Sequence, residues 1–183
     1  MANRQRTLHP KILTIKDLKE EASKKLPPMY RDYFNEGAMD MITLHDNEAA
    51  FTCYKIRPRI LTDVSAVDTS TTIFGQRVAF PFGFAPAASH KLAHPDGEAA
   101  TARAAARVGV CMGLSAYATT GLEEVAAAAA DELGKGMQGV QEGWQGPPLA
   151  MQLTMFKDRG VSARILKRAE GEYERDRREM GVA

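Results

Sequence analysis

The stretch Pro81–Ser115, PFGFAPAASHKLAHPDGEAATARAAARVGVCMGLS, decides the fold. Phe82 to Ala85 is a short apolar run bounded by prolines. Asp96 to Val108 is alanine-rich with helical spacing and has Gly109 at its end, and Val110 to Ser115 is a second apolar run. Strand, helix and strand in that order make one βα unit leading into the next. The order repeats downstream, with a helix from about Gly121 to Ala130 containing five consecutive alanines and a third strand from Ala150 to Phe156. Val161, Ile165, Leu166, Ala169 and Tyr173 then mark the helix that follows. Three βα units in succession predict an α/β fold with a parallel sheet and right-handed crossovers. Residues 131–148 interrupt the order with five glycines and two prolines and no periodicity, which predicts a long loop. The nearly continuous charge run from Glu170 to Glu179 predicts a solvated helix end.

Upstream the pattern is helical. Thr14 followed by Asp17 makes a capping-box signature, and Ile15, Leu18, Ala22 and Leu26 recur at helical spacing until Pro27, so this helix ends near Lys25. Pro28 suits a first helical turn, Met29, Tyr30, Tyr33 and Phe34 form an aromatic face, and Gly37 is the expected stop. Thr43 with Asp46 repeats the capping signal ahead of a shorter stripe of Leu44, Ala50 and Phe51. Thr71–Phe74, Gly75-Gln76 and Arg77–Phe80 read as a hairpin with glycine at the first turn position. The expected organisation is therefore an N-terminal helical segment and hairpin over residues 1–80, followed by three βα units over residues 81–183.

The 183 residues are 44% hydrophobic and 26% charged, as in an ordinary globular chain. The net charge of +1 gives no field favouring nucleic acid or an acidic membrane. Cys53 and Cys111 are too few for a disulfide framework, which points to a reducing compartment. The polar start of the chain lacks a signal-peptide stretch, and the longest nearly apolar run, Val78 to Ala88, is half a membrane span. A cytoplasmic or organelle-matrix location is expected, peroxisome and mitochondrion included. Aromatics at 7% with abundant alanine suit helices packed closely on a parallel sheet.

Two short motifs invite chemistry and fail on context. Gly134, Gly136 and Gly139 fit G-x-G-x-x-G, but a poly-alanine helix precedes them where a strand should be, so the loop reading stands. His90 and His94 have metal-pair spacing, but Lys91 replaces the glutamate of H-E-x-x-H, Pro95 follows, and no third ligand is apparent, so no metal site is expected. By pattern alone Tyr33 reads as part of an apolar helix face.

Longer strings carry a resemblance. Residues 26–38, LPPMYRDYFNEGA, resemble the opening of the FMN-dependent 2-hydroxy-acid oxidases and dehydrogenases, the family of glycolate oxidase, lactate oxidase and flavocytochrome b2. The match continues through Arg57-Pro-Arg-Ile-Leu61, Gly75-Gln76, Phe84-Ala-Pro-Ala-Ala88 and Ala93-His-Pro-Asp-Gly-Glu98. It then runs through Leu114-Ser-Ala-Tyr-Ala-Thr-Thr120, Glu123-Glu-Val-Ala126 and Met151-Gln-Leu-Thr-Met-Phe-Lys-Asp158, covering roughly residues 12–169 in the family's order. The resemblance implies the N-terminal part of a (β/α)8 TIM barrel and FMN as cofactor, with a small 2-hydroxy acid as substrate and a homo-oligomer in the full-length family. It assigns Tyr33 to the substrate carboxylate, the backbone of Pro86, Ala87 and Ala88 to the flavin ring near N5, and Ser115 and Gln152 to the polar pyrimidine edge of the flavin. Tyr117 stands where many members have Trp. Thr154 stands in a substrate-binding position where the family usually has a tyrosine, and it keeps a hydroxyl without a ring's length.

A barrel of this class needs about 250 residues, and about three of its eight βα units are present here. The family's histidine base, substrate-binding arginines, flavin-side lysine and phosphate site belong to later units, so no catalytic residue is assigned. The chain by itself is expected to be inactive. After Arg168-Ala-Glu170 the sequence departs from the family, and residues 131–148 are longer than the family's connection, both features expected of a truncated or wrongly joined gene product. Two rival readings are a relative of the FMN-dependent isopentenyl-diphosphate isomerase, against which the Tyr33 string argues, and a non-catalytic module that pairs through an exposed half-barrel.

Overall fold

The computed structural model describes residues 12–135 and 146–179. The chain divides into two compact units, 1–62 and 63–183. In the first unit, helix α1 (Ile15–Lys25) starts on a complete capping box. The Asp17 N–H donates to Thr14 Oγ1 at 3.1 Å, and the Thr14 N–H donates to Asp17 Oδ2 at 2.9 Å. Helix α2 (Pro28–Asn35) has Pro28 in its first turn as expected, and Asn35 Nδ2 ties it back to Ser23 Oγ of α1 at 2.8 Å. Gly37 is not the stop, because Glu36 is already extended while its N–H caps the Asp32 carbonyl at 2.9 Å. The Thr43–Asp46 box is not used either. Helix α3 (Ile42–Ala49) begins beyond Met41, whose φ of 57° turns the chain and whose carbonyl accepts from the His45 N–H. Thr43 therefore lies inside the first turn, two residues past the capping position.

The second unit opens with a hairpin of β1 (Thr71–Ile73) and β2 (Gln76–Val78), paired antiparallel with Ile73 opposite Gln76. Its turn residues are Phe74 and Gly75, both at positive φ, so the glycine takes the second turn position and not the first. Such a two-residue turn matches the twist of its strands, and glycine enters the left-handed region without strain. The hairpin falls within residues 63–183. Val78 is fully buried, and the Ala79 N–H donates to the Gly109 carbonyl at 2.8 Å.

Strands β3 (Gly83–Phe84), β4 (Cys111–Leu114) and β5 (Leu149–Met151) form a parallel sheet in the order β3-β4-β5. Helices α4 (Gly97–Val108), α5 (Leu122–Gly134) and α6 (Arg159–Glu179) alternate with them. The βα order expected from sequence is thus present. The core is formed by Ala102, Ala105 and Ala106 of α4, Val125 and Ala129 of α5, and Val110, Met112 and Leu114 at the central strand. Small side chains on facing helices let α4 and α5 approach closely and cover β4.

Two further boundaries differ from expectation, those of β5 and α5. Strand β5 stops at Met151 rather than Phe156, because β4 ends where the chain turns at Ser115, the Ala118 N–H donating to the Ser115 carbonyl at 3.1 Å. The Gln152 N–H makes a last bond to the Leu114 carbonyl at 2.8 Å. Helix α5 runs beyond Asp131 to Gly134, since Leu133 packs on the core and Glu132 pairs with Arg107 at 2.6 Å. The rest of the expected loop, residues 136–145, lies outside the described residues, and with it Gly136 and Gly139. Helix α6 carries the charged segment as helix through Glu179. Among the described residues no helix is long and apolar enough to cross a membrane.

Candidate functional site

Parallel strands emerge side by side, so the residues that follow them collect at one edge of the sheet. Ser115 follows β4 and Gln152 follows β5. The Ala116 N–H donates to Gln152 Oε1 at 3.3 Å, which draws the Gln152 side chain over the turn that carries Ser115. Ser115 is buried, and its Oγ accepts from the Tyr117 N–H at 3.1 Å. A hydroxyl that accepts such a bond still has its proton to donate. Gln152 is exposed, with its amide oxygen engaged and its NH2 a donor. A hydroxyl donor and an amide are thus brought together at adjacent strand ends.

Pro86 packs against the same strand. A Cβ on Gly113 would meet the Pro86 Cδ and Cγ at 2.8 Å, so a side chain at 113 would push the Pro86–Ala88 segment off the sheet. Pro86 and Ala87 are exposed and Ala88 is half-buried, which leaves the backbone of this segment open to a ligand. The Tyr117 ring stands 6.4 Å from Phe156 in an edge-on contact, and Thr154 is half-buried between them in sequence. Tyr33 belongs to the first unit. It lies on α2, exposed, with its ring edge-on to Phe34 at 5.1 Å. Ser115, Gln152 and Pro86–Ala88 therefore share one unit and Tyr33 sits in the other.

His90 and His94 each have a local partner at Nδ1. His90 Nδ1 is 3.2 Å from Thr101 Oγ1, and His94 Nδ1 accepts from the Asp96 N–H. No group of three metal-ligating side chains occurs among the described residues. Burial raises the pKa of the Cys111 thiol, which disfavours its reactive anion.

One cluster went unread in the sequence. Glu98 is completely buried, and its carboxylate accepts from the His90 N–H at 3.0 Å, the Thr119 N–H at 2.9 Å and the Thr120 hydroxyl at 2.6 Å. The Thr119 hydroxyl lies 3.0 and 2.9 Å from its two oxygens. Burial pushes the Glu98 carboxyl up, but the bonds from Thr120, Thr119 and His90 outweigh it and hold the pKa at about 2. The signal was available, because Glu98 precedes Ala102 and Ala105 at i+4 and i+7 and so places an acid on the buried stripe of α4.

The parallel sheet with its alternating helices places the chain in the class of β/α folds whose strand ends carry the ligand contacts. The FMN-dependent dehydrogenase family model matches residues 22–173, and the chain belongs to that family. FMN is the family's cofactor, and the hydroxyl, amide and open backbone described above fit the edge of a flat, polar ring. The chain is 44% identical over 161 residues to Oxidase FUB9 of Gibberella fujikuroi, covering 88% of this chain and 41% of that protein. It is 41% identical over 160 residues to glycolate oxidase of Spinacia oleracea, covering 87% and 39%. Among solved structures it matches a putative lactate oxidase of Pediococcus acidilactici with a TM-score of 0.76 and 32% identity, covering 88% of this chain and 41% of that one. A flavocytochrome b2 matches with a TM-score of 0.77 and 28% identity, covering 90% and 40%. The chain thus spans about two fifths of the length of these relatives.

Proposed function

We propose that this chain forms the flavin-ring side and one carboxylate contact of an enzyme that oxidises (S)-2-hydroxy acids to 2-oxo acids. The observation that carries this reading is the meeting of the Ser115 turn and the Gln152 amide at the Ala116 N–H, beside a Pro86 segment packed on Gly113. FMN, when bound, supplies an acceptor for the substrate's hydride. Ser115 would donate a hydrogen bond from its hydroxyl, and Gln152 one from its amide NH2, to the pyrimidine edge, and the Pro86–Ala88 backbone would line the ring. The Tyr33 phenol donates a hydrogen bond to the substrate carboxylate, and Tyr117 forms an aromatic wall for the substrate side chain. Thr154 offers a hydroxyl nearer the strand than a tyrosine would.

Oxidation of a hydroxy acid also needs a base for the hydroxyl proton and a cationic clamp on the carboxylate. His90 and His94 fall outside the strings that carry the family's base, and each engages Nδ1 locally, His90 with Thr101 and His94 with the Asp96 N–H. The resemblance places the phosphate anchor, the base and the clamp in later units, so the chain alone is expected to bind FMN weakly and not to turn over glycolate or lactate. Titrating FMN with the chain tests the reading. A shift of the flavin's visible band that Ser115→Ala diminishes is expected, and a free-flavin spectrum unchanged by the chain would overturn it. FMN-dependent turnover abolished by a substitution at His90 would show that the base has been misassigned.

A further inference from the structure

Glu98 presents a buried carboxylate whose described partners are all neutral donors, and apart from its own N–H they come from two different loops. The His90 N–H belongs to the loop after β3, the segment that begins at Pro86. Thr119 and Thr120 belong to the loop after β4, the segment that begins at Ser115. The loops are also joined directly, since the Lys91 N–H donates to Thr119 Oγ1 at 3.1 Å. The helix that carries Glu98 starts at a residue with no room for a side chain. Gly97 has a φ of +52°, and a Cβ there would lie 2.7 Å from Lys91 Cγ and 3.0 Å from Thr120 Oγ1. Ser89, immediately before the clamped amide, is itself held in the left-handed region at φ 61°.

An ionised carboxylate is a costly group to bury, and a helix could be seated here by an apolar side chain. What a carboxylate adds is acceptor capacity. Two oxygens with about four lone-pair sites can receive donors from both loops at once. A glutamine has one acceptor oxygen and turns an NH2 toward groups that are themselves donors.

We propose that Glu98 is a positioning residue whose carboxylate locks the β3 loop to the β4 loop, so that the Pro86–Ala88 and Ser115 segments keep one fixed separation. The flavin-facing consequence rests on the function proposed above, whereas the lock between loops stands on the hydrogen bonds alone. The lock makes the two loops open together. Removing the Thr120 hydroxyl loosens the carboxylate, and the effect crosses to an amide on the other loop.

Hydrogen–deuterium exchange on the full chain tests this directly. Thr120→Val is expected to accelerate exchange of the His90 amide, on the opposite loop, by about tenfold or more, as befits loss of a hydrogen bond to a charged group. Thr120→Ser restores the hydroxyl and is expected to return His90 to the wild-type rate. Glu98→Gln is expected to accelerate the His90 and Thr119 amides together, while amides of Ala105 and Ala106 in the core of α4 keep their protection. Wild-type exchange at His90 in Thr120→Val, or failure of Thr120→Ser to rescue it, would overturn the lock, and both readings survive if Glu98→Gln does not fold. FMN titration of the same variants separates the two proposals. If the wild-type chain shifts the flavin band, Thr120→Val should weaken that shift and Thr120→Ser restore it, and an unaffected shift would overturn the positioning role. If the wild-type chain leaves the flavin unchanged, the function proposed above fails, the positioning role falls with it, and the exchange rates alone decide the lock.

Discussion

Glu98 concentrates the consequences of a single side chain. Its carboxyl has a pKa of about 2 in the folded protein against an ordinary value of 4.5. Between those values the unfolded chain takes up a proton that the folded chain refuses, so falling pH favours unfolding. The stabilisation from Glu98 is complete above about pH 4.5 and is lost progressively as the pH falls toward 2. Urea unfolding followed by circular dichroism from about pH 6 to pH 3 should show this loss in the wild type, and Glu98→Gln should flatten it while lowering stability at neutral pH. The neighbouring glycine is equally constrained. Gly97→Ala forces a Cβ into both positive φ and the Lys91 and Thr120 side chains, and a thermal melt should show a loss of more than about 1 kcal/mol.

Elements in the second unit are joined by contacts of very different value. Helix α6 is tied to the start of α5 by Arg168, whose guanidinium reaches both oxygens of Glu123 at 2.7 Å. Both side chains are about half exposed, so Arg168→Ala should change stability by less than about 1 kcal/mol. Met112, on β4 beneath α4 and α5, is 2% exposed. Met112→Ala leaves a cavity between closely packed alanine faces and should cost about 2–5 kcal/mol. Urea midpoints of the two variants, measured side by side, check the contrast. The Thr14–Asp17 capping box was legible because both partners lie within one turn, whereas Thr43–Asp46 has the same spacing but was displaced by the turn at Met41.

At the scale of the whole molecule, β3 and β5 are the outer strands of the parallel sheet among the described residues, and Phe80, Phe82, Leu149 and Met155 around them are exposed. The chain spans about two fifths of its relatives' length. The connection from α5 enters β5 at Leu149, the end of that strand opposite Gln152. Residues 136–145 precede that end of the strand in the sequence. Replacing them with a short glycine-containing turn should leave the FMN-induced spectral shift unchanged, as titration of the shortened chain would show.

The alternation of apolar runs and alanine-rich segments after Pro81 was enough to determine a parallel α/β sheet, because strand and helix periodicities are local properties of the chain. The strings around Tyr33, Pro86, Ser115 and Gln152 were enough to determine the family. Where β5 stops was not written locally, since Leu153 to Phe156 are as strand-like as Ala150 and pairing ends only because β4 turns away at Ser115. Glu98 was likewise visible only as an acid on an alanine stripe. Its role depends on donors 8, 21 and 22 residues away, and only the folding of two loops over the start of α4 brings those donors to one carboxylate.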